Sequence, residues 1–350
     1  MSVMSAAALM SAAHASLHPV TCGPSLLPSV CASLARPRPA VPVKLALCQM
    51  RVTTKKETNL ATAAREVAKA AAHGAKLIVL PECFNCPYDT DRVRGYAEEL
   101  PPAGVPGSAR HGSKTLAAIQ DAAQTHGVTI IAGSIPELMP DGQLYNTSMT
   151  VGPSGELLAK HRKMHLCDVD VPGGVQLRES TTFAPGDSVT TFPMPTGEAT
   201  TAPQAVGTSA PLRVGVGICY DVRFPELSAL MAREAGAGLL VFPAALNKAL
   251  GPAHWELLLR ARAVDNQVFV AVCSPACGGP DDPEEKRYPS WGHSMIVSPW
   301  GEVLTSAQFD EVHDGRRLLL WQEQRSRQRS LVTMECRRRC LIRVCPGHWA

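Results

Sequence analysis

Six short apolar runs, separated for the most part by stretches with helical spacing, restrict the fold of this chain more than any other feature. KLALCQM (44–50), KLIVLPE (76–82), VTIIAGS (128–134), LRVGVGICY (212–220), GLLVFPA (238–244) and QVFVAVCS (267–274) each read as a buried strand. Between them, residues 57–73 place Leu60, Ala64, Val67 and Ala71 on one helical face, with Gly74 as the stop signal. A second helix runs through Leu116, Ile119, Ala122 and Ala123, and two more begin near Pro225 and Pro252. LYNTSMTVGPSGELLAK (144–160) reads as two strands joined by a Pro-Ser-Gly turn. Strands alternating with helices predict an α/β protein whose helices cover a sheet.

The chain has 350 residues and a formal charge of only +3, enough for one large soluble domain or two small ones and too balanced to suggest a nucleic-acid partner. No acidic residue precedes Glu57, and Ser, Ala and Pro dominate residues 1–42, with Arg36 and Arg38 near the end of that stretch. This is the composition of a transit peptide, which predicts a chloroplast or a mitochondrion. A cytoplasmic protein with an unstructured leader is the alternative. No run reaches the roughly 18 apolar residues of a membrane span. Residues 194–211, rich in Pro, Thr, Ala and Gly, read as an exposed insertion. The twelve cysteines are scattered through strand-like and helix-like segments, which fits a reduced compartment better than a disulfide scaffold. Cys83 and Cys86 form C-x-x-C without a second pair at ribbon spacing, and Cys336, Cys340, Cys345 and His348 match no common zinc finger. No metal or organic cofactor is expected.

Three polar residues end or interrupt apolar segments: Glu82 ends KLIVLPE, Lys163 lies inside KHRKMHL and Cys219 ends VGVGIC. Strand ends are where α/β proteins usually hold their chemistry. A carboxylate could take the thiol proton, while a lysine and the Tyr220 N–H could hold an oxyanion. Taken singly, each residue has a plainer reading: a buried thiol as a small hydrophobe, a helix-capping glutamate, a solvated lysine.

The combination is more specific. PECFNCPY around Glu82, LLAKHRKMHLCDVDVPG around Lys163 and GVGICYDVRFPEL around Cys219 closely resemble the nitrilase superfamily of carbon–nitrogen hydrolases. GSIPE, LYNTSMT, GPAHWELLLRARAVDNQVFV and WGHSMIVSPWGEVL are similar to it in the same order, so the resemblance covers residues 43–311 and is nearest the omega-amidase branch. It implies a four-layer αββα sandwich, dimerisation through helices near the site, and a Glu-Lys-Cys triad on Glu82, Lys163 and Cys219, supported by a second glutamate at Glu179. It also implies hydrolysis of a small carboxamide, with alpha-ketoglutaramate and alpha-ketosuccinamate as substrates. Arg223 would meet the substrate carboxylate, and Tyr88, Tyr220 and Asn247 would border the pocket. Relatives often carry Phe before that asparagine where this chain has Leu246, which keeps a deaminated-glutathione amidase or a carbamoyl amidase open. An inactive scaffold is the non-enzymatic alternative.

Beyond Glu311 the family pattern stops. Residues 312–350 form an arginine-rich tail that reads as a shifted frame or a retained intron, for which poor order is expected. LLLW (318–321) has no recognisable strand partner, with addition to a sheet edge as the alternative.

Overall fold

The apolar runs become central strands because both of their faces are buried. A computed structural model describes residues 43–104, 112–171, 176–195, 211–277 and 288–307, and the backbone of Leu319–Trp321. The leader (1–42), most of the 194–211 insertion and all of the 312–350 tail except those three residues lie outside the described residues.

In chain order the elements are β1 (Leu45–Leu47), α1 (Lys56–Ala72), β2 (Leu77–Val79), α2 (Lys114–His126), β3 (Thr129–Ile131), β4 (Ile135–Leu138), β5 (Leu144–Val151), β6 (Leu157–Arg162), β7 (Asp168–Asp170), β8 (Gln176–Arg178), β9 (Thr190–Pro193), β10 (Arg213–Val216), α3 (Pro225–Ala229), β11 (Leu239–Pro243), α4 (Gly251–Asn266), β12 (Phe269–Cys273), β13 (Met295–Val297), β14 (Val303–Ser306) and β15 (Leu319–Trp321). Among the described residues one sheet has the order β15-β1-β2-β3-β5-β4, with β6 also paired to β5. A second has the order β14-β13-β12-β11-β10-β9, and β7 and β8 form a separate pair. The centres of both sheets are parallel: β1-β2-β3 in one and β10-β11-β12 in the other.

Side chains alternate across each strand, and the alternation assigns the layers. Ala46, Ile78 and Ile130 face α1 and α2, where Val67, Ala70, Leu116 and Ile119 cover them. Leu45, Leu47, Leu77 and Val79 point the other way, into Val214, Val216, Leu239 and Val241 of the second sheet. Leu240, Phe242, Val270 and Val272 face outward onto Leu227, Trp255 and Leu259. The result is helix, sheet, sheet, helix: the four-layer αββα sandwich.

Two details depart from the sequence reading. The buried face of α1 is Asn59, Ala63, Glu66, Val67 and Ala70, while Ala64 is exposed. The helix is rotated because Asn59 turns inward: its Oδ1 accepts the Thr53 N–H at 2.8 Å and its Nδ2 donates to the Thr53 carbonyl at 2.7 Å. Of the two readings of LLLW, the lack of a strand partner is corrected and edge addition holds, since Leu319–Trp321 pair antiparallel with Leu45–Leu47 at the edge of the first sheet. The exposed edge of a three-residue strand accepts any extended segment that supplies backbone partners, whatever its place in the family pattern.

Candidate functional site

Glu82 follows β2, Lys163 follows β6 and Cys219 follows β10, so one residue leaves the first sheet's parallel centre, one its antiparallel arm and one the second sheet. Sharp backbone turns present two of them. Among the described residues only four non-glycine residues have positive φ, and two are Cys83 (50°), next to Glu82, and Cys219 itself (45°). Such conformations persist only where their surroundings enforce them. At Cys83 the backbone N–H donates to Ser134 Oγ at 3.0 Å. Gly133 makes room there: a Cβ on it would lie 1.9 Å from the Pro81 carbonyl oxygen.

At Cys219 the enforcing group is Asp221. Its Oδ2 accepts the Ile218 N–H at 2.9 Å and His161 Nε2 at 3.0 Å, and its Oδ1 accepts the His165 N–H at 2.9 Å and Nδ1 at 2.8 Å. Although burial works against the charge, the two histidines and the Ile218 N–H hold its carboxyl well below the usual range. His161 and His165 flank Lys163, so one carboxylate ties the lysine segment to the cysteine turn. His165 also stacks on Phe224 with ring centroids 3.6 Å apart. From the other side, Arg262 donates to the Val222 and Arg223 carbonyls, both at 2.8 Å.

Lys163 is fully buried, and its Nζ donates to Glu82 Oε1 at 3.0 Å and to Glu179 Oε1 at 3.1 Å, with Glu179 Oε2 at 2.8 Å. Tyr88 Oη is a longer contact, at 3.5 Å. Glu179 is itself fixed, since its Oε2 accepts the Cys167 N–H at 2.7 Å. Asn146 Nδ2 donates to Glu82 Oε1 at 2.9 Å and to Glu179 Oε1 at 3.1 Å. Glu82 Oε1 therefore has two donors, whereas Glu82 Oε2 is buried with no hydrogen-bond partner among the described residues.

The charges follow from this packing. Burial raises the Glu82 carboxyl, with Lys163 opposing and Glu179 adding to the rise. Burial alone would lower Lys163, but the charges of Glu179 and Glu82 outweigh it and hold the ammonium well above its ordinary value. Burial, then the Glu82 charge, pushes the Cys219 thiol up; Lys163 opposes them. The arrangement is a neutral thiol beside a carboxylate with one free oxygen and a permanent cation, which can take a proton from sulfur and stabilise a developing oxyanion.

Of the residues predicted from the sequence, Glu82, Lys163, Glu179 and Tyr88 meet in one network, and Cys219 is electrostatically coupled to it. Tyr220 and Arg223 share the 3-10 helix Cys219–Arg223 and, with Cys219, Leu246, Trp255 and Leu259, border a small, mostly apolar gap toward α4 that includes neither Glu82 nor Lys163. The Tyr220 N–H lies in the first turn, where N–H groups have no acceptor within the helix. Arg223 Nη2 contacts His254 Nδ1 at 3.1 Å, and its guanidinium lies 5.0 Å from the Tyr220 ring centroid. Asn247 is buried, and its Oδ1 accepts the Ala249 N–H at 2.9 Å where the chain turns into α4. Asn146, Asp221, His161, His165 and Arg262 were not singled out from sequence: each is buried or part-buried and needs a polar partner, but the partners come from elements distant in the chain.

Residues 44–315 match the family model described as carbon-nitrogen hydrolase. Omega-amidase NIT2 of Mus musculus is 46% identical over 268 residues, 77% of this chain and 85% of the relative. Omega-amidase NIT2 of Homo sapiens is 44% identical over the same shares. Among solved structures, Saccharomyces cerevisiae Nit3, a member of branch 10 of the nitrilase superfamily, is 36% identical with a TM-score of 0.65, over 80% of this chain and 89% of that one. A family match over most of the chain, relatives at this identity and a shared fold establish that the chain belongs to the carbon–nitrogen hydrolase family of the nitrilase superfamily and hydrolyses carbon–nitrogen bonds other than peptide bonds.

Proposed function

We propose that this hydrolase is an omega-amidase that releases ammonia from the distal amide of alpha-ketoglutaramate or alpha-ketosuccinamate through a thioester on Cys219. The observation that carries the reading is the fully buried Lys163 held between Glu82 and Glu179, with the second oxygen of Glu82 left unpartnered. The names of the 44–46% identical relatives supply the substrate class.

In this mechanism Cys219 Sγ attacks the amide carbon as its proton passes to Glu82 Oε2. Lys163 keeps its bonds to the two glutamates and exchanges its long Tyr88 contact for the oxyanion, which the Tyr220 N–H also meets. Glu82 then protonates the amide nitrogen, the C–N bond breaks and ammonia leaves. In the second half Glu82 takes a proton from water, hydroxide opens the thioester, and the proton returns to sulfur. Ammonia release from alpha-ketoglutaramate, compared with Cys-Gly release from deaminated glutathione and ammonia release from an N-carbamoyl amino acid, tests the assignment. Turnover of either comparison substrate in preference to alpha-ketoglutaramate would reassign the enzyme within the family.

The pH profile follows from Glu82. It must be ionised to accept the thiol proton, and burial raises its pKa, so the active form is lost at a higher pH than an ordinary carboxylate would allow. The acid limb of kcat/KM is expected above the usual glutamate value of about 4.3; a limb at or below that value would assign it to another group. Lys163, held high by its two carboxylates, stays cationic across neutral pH.

Arg223→Lys separates carboxylate recognition from chemistry. A lysine keeps the charge but loses the planar fork, so kcat/KM for alpha-ketoglutaramate is expected to fall by about 10–100-fold. A neutral amide should be affected far less. Equal losses would make Arg223 a structural residue, held by His254 and Tyr220.

Homodimerisation is part of the same proposal. Leu257 (66% exposed) and Val264 (45%) lie seven residues apart on α4, and Trp300 (72%) and Leu230 (45%) are likewise exposed, an apolar set that a second copy would cover. Sedimentation of the purified protein tests it. The acid-free composition of residues 1–42 supports import into a chloroplast or mitochondrion, which a fluorescent fusion of that segment would report.

A further inference from the structure

We propose that Asn146 is a positioning residue that selects Oε2 of Glu82 as the working oxygen and keeps Glu82 and Glu179 as two separate acceptors; the inference rests on the amidase reading above. Asn146 lies on β5, where Thr147 pairs with Arg162. Its backbone carbonyl accepts the Lys163 N–H at 2.8 Å. One residue thus sets the height of the lysine and, through Nδ2, contacts both carboxylates at 2.9 and 3.1 Å. The amide orientation is dictated by chemistry: both facing atoms are carboxylate oxygens, and only the NH₂ can donate to them.

Lys163 reaches the same two oxygens, at 3.0 and 3.1 Å, but the reaction asks it to hold an oxyanion as well. Asn146 is neutral and touches no reacting atom, so its two donors stay in place while the lysine takes up the oxyanion. With Oε1 of Glu82 covered by both donors, an arriving proton goes to Oε2. With Oε1 of Glu179 covered in the same way, the two glutamates do not share a proton. Asn146 Oδ1 is buried with no hydrogen-bond partner among the described residues. An unsatisfied buried carbonyl costs stability, and an apolar side chain of similar shape would avoid that cost. The amide is retained here at the expense of packing because its NH₂ is used.

The test uses Asn146→Leu and Asn146→Asp in the full chain, with two readouts. The first is kcat and KM for alpha-ketoglutaramate against pH. The second is the pH dependence of Cys219 alkylation by iodoacetamide, followed by peptide mass spectrometry, which needs no assumption about substrate. Removing a hydrogen bond to a charged acceptor is expected to move the acid limb of both profiles up by about one pH unit in Asn146→Leu. Asn146→Asp, which adds a like charge, should move it at least as far. A carboxylate no longer held in line lowers kcat by about 10²-fold with little change in KM. Wild-type limbs and kcat in both variants would overturn the proposal and leave Asn146 a β5 packing residue. Should Asn146→Leu not fold, the isosteric Asn146→Asp decides alone. If wild-type protein ignores alpha-ketoglutaramate while the alkylation limb still shifts, the substrate assignment fails and the role of Asn146 stands.

Discussion

Replacing Cys219 by alanine is expected to lower amide hydrolysis by about 10⁴-fold or more while leaving the protein folded. The substitution removes one sulfur from a site that is 5% exposed and packed among Ile218, Phe242, Leu246 and Val272. Alanine keeps the Cβ that the φ of 45° already accommodates, so the stability change should stay near the ~1 kcal/mol typical of point variants. Glu82, Lys163 and Glu179 retain their mutual contacts, so substrate binding should survive. The expected signature is a folded, binding-competent protein without turnover, seen by near-UV circular dichroism, substrate titration and ammonia release. Cys219→Ser should also be nearly inactive, because a hydroxyl holds its proton more tightly than a thiol and the same glutamate cannot remove it readily. Appreciable turnover by Cys219→Ala would move the nucleophile elsewhere.

Lys163→Met is expected to be the more damaging change to the fold. The lysine is the cation paired with Glu82 and Glu179, and all three side chains are fully buried. Removing one partner of a buried ionic group leaves uncompensated charge and costs about 3–5 kcal/mol. The loss should depend on pH in a defined direction. Burial already raises the Glu82 carboxyl and Lys163 opposes that rise; without the lysine the rise is larger, so the folded state binds more protons and stability falls as pH rises through that window. The variant should therefore recover part of its denaturation midpoint as pH is lowered from 8 toward 5. A destabilisation independent of pH would mean that lost packing, not stranded charge, dominates. Activity should be absent at every pH, since the oxyanion donor is gone.

The strand and helix alternation was legible because strands buried on both faces read as unbroken apolar runs, and Leu45, Ile78, Val214 and Leu240 show both faces in use. That those runs form two stacked sheets was not legible from periodicity, which is the same for one sheet as for two; it came from family resemblance. Glu82, Lys163 and Cys219 could be picked out because each breaks an apolar stretch. Their supports could not, since Asn146 and His161 lie within strands as ordinary polar residues and acquire meaning only when β5, β6 and the cysteine turn converge. The left-handed backbone at Cys83 and Cys219 leaves no mark in residue type, as glycine would. The strand Leu319–Trp321 was hidden because edge pairing uses backbone groups more than side-chain pattern.

The central claim is covalent catalysis at Cys219, and the most direct test is the intact mass of enzyme mixed in excess with alpha-ketoglutaramate and quenched in acid within a single turnover. The account predicts a protein heavier by one oxo-dicarboxylate less a water, with the added mass on the peptide that contains Cys219 and absent from Cys219→Ala. Hydrolysis that proceeds with no acylated protein, at equal rate in Cys219→Ala, would contradict it.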